Sequence, residues 1–82
     1  MAAGHYRFHC TDGQHAVLDR AGRRLKDEEQ AYPYAERTAL EMMASCGGRL
    51  DWSDWIVDVH DGEGRRVLIL AFSDVRTSRK AA

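Results

Sequence analysis

Residues 55–72 read WIVDVHDGEGRRVLILAF, and this stretch decides the fold. Trp55, Val57 and Val59 alternate with Ile56, Asp58 and His60, a period of two that puts neighbouring side chains on opposite faces of a strand. Asp61-Gly62-Glu63-Gly64 follows. These residue types tolerate positive φ and reverse the chain between paired strands. The return run from Val67 to Phe72 is apolar at every position. The segment is therefore a β-hairpin, and the rest of the chain is read as what must cover it.

Upstream, His5 to Thr11 alternates in the same way, with Tyr6, Phe8 and Cys10 on one face and His5, Arg7 and His9 on the other. The aromatic face is the expected core face. Asp12-Gly13 is a hairpin signal, and Ala16-Val17-Leu18 is the returning strand. That strand ends in Asp19-Arg20-Ala21-Gly22, a second turn, after which Leu25 drops back towards the core. Its brevity, with Arg20, Arg23 and Arg24 close by, marks it as the edge of the sheet.

Between the two hairpins lies the helix. Asp27 is the expected N-cap, Glu28 and Glu29 complement the positive end of the helix dipole, and Gln30 completes a capping box. Ala31, Ala35, Ala39, Met42 and Cys46 recur at helical spacing, and the small residues on that stripe let a helix lie close to a sheet. Pro33 lacks an amide donor. Either a short turn at 28–31 precedes a helix starting near Tyr32, or one helix is kinked there. Gly47-Gly48 is the expected stop, and Leu50 and Trp52 are expected to fold over one end of the core.

The reading is an α+β domain over residues 5–75: a four-stranded antiparallel sheet with one helix on one face, in the order β-β-α-β-β. Residues 1–4 are expected to fray, and the basic stretch 76–82 to be a flexible tail. At 82 residues the chain makes one domain with a small core. Apolar residues make up 44% and charged residues 30%, the balance of a soluble globular chain. No apolar run approaches a bilayer span and no signal-peptide pattern opens the chain, so a cytoplasmic protein is expected, with no membrane contact. Two cysteines, Cys10 and Cys46, are too few for a disulfide framework.

These motifs resemble a small bacterial domain-of-unknown-function family. The matching residues are Tyr6, Phe8 and His9; Asp12-Gly13; Asp19 with Gly22 and Leu25; Ala31 with Ala35; Trp55 with Val59; Asp61 with Gly64; and Leu68, Leu70 and Phe72. Pro33 and Tyr34 depart from the family's usual helix start. The resemblance implies the fold. It implies no activity, no cofactor and no catalytic residue.

The residues support little chemistry of their own. His5 and His9 face the same way but stand about 13 Å apart along a strand, too far to share an ion. His9 and His60 on neighbouring strands, with Asp58, form the candidate metal or catalytic patch, against a plain hydrated surface. Cys10 follows His9 directly, so their side chains diverge and cannot act as nucleophile and base. Arginine clusters at 20–26, 65–66 and 76–80 invite a weak nucleic-acid reading, which the net charge of −1 opposes.

The sharper anomaly is apolar. If Trp55, Val57, Val59, Leu68, Leu70 and Phe72 face the helix, then Ile56, Val67, Ile69 and Ala71 line the other face of the sheet. An apolar patch there marks an interface. A non-catalytic interaction or regulatory module is the expected function. A homodimer through the outer face or an edge strand is the expected assembly, with an unidentified protein partner as a further candidate.

Overall fold

The computed structural model describes residues 4–46 and 51–75. The expected Gly47-Gly48 helix stop, Leu50 and the 76–82 tail lie outside the described residues. Among the described residues five strands and one α-helix follow in the order β1 (Gly4–Thr11), β2 (Ala16–Val17), β3 (Arg23–Leu25), α1 (Ala31–Ser45), β4 (Ile56–His60) and β5 (Arg66–Ala71). The class is α+β with an antiparallel sheet, as the alternation indicates. The expected four strands become five.

The extra strand is β3. It pairs with the first half of β1, Gly4 opposite Leu25 and Tyr6 opposite Arg23, while β2 pairs with the last two residues of β1. One edge of β1 thus has two short partners in succession. The other edge pairs with β4 from Arg7/His60 to Thr11/Ile56, and β4 pairs in turn with β5. The sheet therefore runs β2 and β3, then β1, β4 and β5, with β5 as the second outer edge.

Alternation carries Tyr6, Phe8, Cys10, Leu25, Val57, Val59, Leu70 and Phe72 to one face, where all are buried. The helix covers that face with Ala31, Ala35 and Ala39, which are also buried. Because these three alanines present only a methyl, α1 sits close over the sheet there. Trp52 stacks on Phe72 at 5.2 Å between ring centroids, with Trp55 edge-on to Trp52, and this trio closes one end of the core.

The helix entrance resolves the choice at Pro33. A 3₁₀ turn spans Glu28–Gln30 and α1 begins at Ala31. Pro33 then lies in the first turn, where an amide has no helical acceptor in any case. The expected capping box is absent: neither Asp27 nor Gln30 caps through its side chain. Instead the Lys26 N–H donates to Gln30 Oε1 at 2.9 Å, so the glutamine secures the incoming loop.

Candidate interaction surface

The surface is set by a single β-bulge. Leu68, Leu70 and Phe72 point to the core, and uninterrupted alternation would send Arg66 there as well. The register slips between Val59 and His60, so that Leu68 faces Val59 while Arg66 faces His60. One extra residue, Val67, is accommodated on the β5 side. Arg66 is thereby turned to the outer face. Val67, expected on the outer patch, packs partly against the core.

On that outer face Arg66 meets Asp58. Its Nε donates to Asp58 Oδ1 at 2.9 Å and Nη2 to Oδ2 at 3.1 Å, a two-pronged guanidinium-carboxylate pair. His60 Nε2 lies 3.0 Å from the same Oδ1. The hydrogen bonds from Arg66, aided by the charges of His60 and Arg66, hold the Asp58 carboxyl below its ordinary range despite partial burial.

The His9 and His60 rings stand 5.5 Å apart, edge to face, so the sequence-derived patch of His9, Asp58 and His60 is contiguous. Its donors are largely engaged. Both Asp58 oxygens serve Arg66, and His9 Nδ1 accepts the Asp19 N–H at 2.9 Å, which places the proton of the neutral ring on Nε2. Among the described residues no three His, Cys, Asp or Glu side chains are arranged as a metal ligand set.

Asp19 organises the loop behind this patch. Its Oδ2 accepts the Phe8 N–H at 3.0 Å and its Oδ1 the Gly22 N–H at 2.9 Å. Burial raises the Asp19 pKa, but bonds from the Phe8, Gly22 and Ala21 amides, together with neighbouring His9, bring it below the ordinary value. The Asp-x-x-Gly turn is thus a structural device.

The apolar part of the outer face is small. Asp58 is opposite Ile69 and Ile56 opposite Ala71, which puts the apolar residues along the β5 side, with Ile69 46% exposed. The β1 side carries Arg7, His9 and Thr11. Of the arginine clusters, Arg65 pairs with Asp61 and Glu63, and Arg66 with Asp58. Arg23 lies over the Tyr34 ring at 4.6 Å, so these positive charges are distributed among local partners.

Burial, with Asp19 nearby, pushes the Cys10 thiol up to about 11, and Cys46 is a half-buried free thiol.

One feature escapes the alternation pattern. Where α1 stops short of β2, an open cleft of about 350 Å³ lies between Phe8, Cys10, Val17, Leu18, Thr38 and Met42. Val17 is opposite Cys10, hence on the core face, yet it is 48% exposed. The signal was the pairing of a hairpin strand with a helix stripe too narrow to cover it.

The fold and this surface define a small α+β domain with a helix on one sheet face and a mixed ionic and apolar outer face. The chain belongs to the family described as Domain of unknown function (DUF6894), which matches residues 5–73. No curated protein and no solved structure matches the chain. Among the described residues no helix is long and apolar enough to cross a membrane.

Proposed function

We propose that this domain is a non-catalytic interaction module that associates with a second copy of itself through the β5 side of the sheet. The observation that carries the reading is Ile69: a large apolar side chain, 46% exposed, at the middle of an edge strand with no charged side chain between Arg66 and Phe72. Ile56 and Ala71 extend the patch. The opposite edge differs, since β2 is two residues long and is followed by Arg20, Arg23 and Arg24. Edge strands are commonly guarded by brevity and charge. Among the described residues one edge is guarded in this way, and the other carries no charge from Val67 to Ala71.

The same surface argues against chemistry at the histidines, because Asp58 is held by Arg66 and His9 by the Asp19 amide. Light scattering over a hundredfold range of concentration tests the reading. A dimer mass that falls towards the monomer on dilution is expected, and Ile69→Glu should give a folded monomer throughout. A wild-type chain that stays monomeric at every concentration would overturn it.

A further inference from the structure

The geometry points to the way the second copy joins. We propose that β5 pairs antiparallel with β5 of that copy about a two-fold axis through Ile69, so that the two five-stranded sheets become one continuous sheet. This rests on the self-association proposed above.

The backbone gives the first reason. The Phe72 N–H donates to the Trp55 carbonyl at 2.9 Å, while the Trp55 N–H turns to the Trp52 carbonyl at 3.1 Å, so a single bond sets the phase of the β4–β5 ladder. Antiparallel ladders alternate pairs that exchange bonds with pairs whose backbone groups point away. Leu70 with Val57 and Leu68 with Val59, two and four residues back in the same phase, are then the exchanging pairs. The N–H and C=O of Ile69 and Ala71 therefore point away from β4, to the edge that no described strand covers. The alternation is confirmed on the far side of the sheet, where the outward Phe8 N–H is taken by Asp19.

The sequence gives register. Two β5 strands can exchange bonds only between outward-facing residues. An axis through Ile69 sets Ile69 against Ile69 of the second copy and confines regular pairing to the residues beside it, since the bulge at Val67 ends the regular edge on one side. Leu68 then meets Leu70 across the join on the core face, and the two Ile69 side chains meet on the outer face. Apolar groups thus meet on both sides.

Stacking of outer faces fits less well. The centre of that face holds Arg7, His9, Asp58, His60 and Arg66. Stacking would remove the Asp58–Arg66 pair from water and bring basic rows together, a desolvation that opposes association. Edge pairing leaves those groups wet.

Ala71→Pro separates the two arrangements. Ala71 has φ −74°, which proline adopts without strain, and its N–H is not used by β4. The substitution keeps the fold and removes an outward donor from the edge. Edge pairing predicts at least a tenfold weaker dimer for Ala71→Pro, and in the wild type amide exchange at Ile69 and Ala71 that slows as concentration rises, with Leu68 and Leu70 protected at all concentrations. A dimer that tolerates Ala71→Pro, with Ile69 and Ala71 amides exchanging at a rate independent of concentration, would overturn edge pairing while leaving self-association intact. A wild-type monomer would remove both. Should Ala71→Pro fail to fold, the wild-type exchange measurement decides alone.

Discussion

The Asp19 carboxylate stands in for a missing strand at Phe8. Between the stretch of β1 paired with β3 and the stretch paired with β2, the Phe8 N–H faces an edge with no backbone acceptor, and Asp19 Oδ2 accepts it at 3.0 Å. The other oxygen takes the Gly22 N–H, so one side chain both seals the edge and closes the turn. Asp19→Ala leaves two amide donors without acceptors, at a cost of about 2 kcal/mol. Asp19→Asn retains one acceptor oxygen and should recover part of the loss. Urea unfolding of the three chains tests this, and an alanine variant as stable as the wild type would remove the role.

Acid should weaken the fold through the same group and through Asp58. Both carboxyls titrate below their ordinary value in the folded chain. A group whose folded pKa is depressed stabilises the fold above its unfolded pKa, about 3.9 for Asp, and loses that contribution as pH falls through the folded value. The stability gap between wild type and Asp58→Asn should therefore persist at pH 5 and close below about pH 4. Unfolding midpoints at neutral pH, near pH 4 and near pH 2.5 measure it; a gap that does not change on acidification would contradict the ionic account.

Gly22 and Gly13 are both held at positive φ, +72° and +95°, but for different reasons. A Cβ at Gly13 meets nothing within 4 Å, whereas one at Gly22 runs into the His5 ring and the Tyr6 carbonyl oxygen. Gly13→Ala should cost about 1 kcal/mol, the backbone penalty alone. Gly22→Ala should cost clearly more and disturb the His5 bond to the Ala21 carbonyl, 2.8 Å long. Equal losses at the two sites would show that packing around Gly22 is unimportant.

These contrasts show what the sequence could carry. Hairpins announce themselves locally: Asp12-Gly13 and Asp61 to Gly64 are turns because their side chains and glycines satisfy the turn within a few residues. The alternation that buried Val57 and Val59 was equally local. Strand β3 was not, because Arg23-Arg24-Leu25 has no pattern of its own and is extended only because β1 offers an unpaired edge. The bulge at Val67 was hidden for a similar reason: alternation within an unbroken apolar run says nothing about where the partner strand slips. Val67 therefore packs partly against the core, whereas Ile56, Ile69 and Ala71 alternate with the core residues of their strands. The patch of His9, Asp58 and His60 was legible as a neighbourhood, but Arg66 became part of it only through the bulge.

Thiol chemistry should divide the two cysteines cleanly. Cys10 is buried with its thiol pushed up to about 11, so almost none is thiolate near neutral pH, and the thiolate is the reactive form. Cys46 is only half-buried. Brief treatment of the folded chain with iodoacetamide should add one label, at Cys46, and a second only after unfolding. Mass spectrometry reads the outcome, and rapid labelling of Cys10 in the folded chain would mean that the sheet opens there.

Close approach of α1 depends on alanine, and this too can be tested. Ala35 has no exposed surface and lies on the stripe that faces the sheet. Ala35→Leu adds three carbons where the interior is already filled, so either the side chain leaves its preferred rotamer or the helix lifts. Overpacking of this kind costs about 1–3 kcal/mol. Val17 is on the same face of the sheet but beyond the helix, and 48% exposed. Val17→Ala should cost much less, since the cleft already leaves half of that side chain in water. Urea midpoints of the two variants therefore map where the helix covers the sheet: a severe loss at Val17 would place it under tight packing, and a neutral Ala35→Leu would mean that α1 has room to move away from β4 and β5.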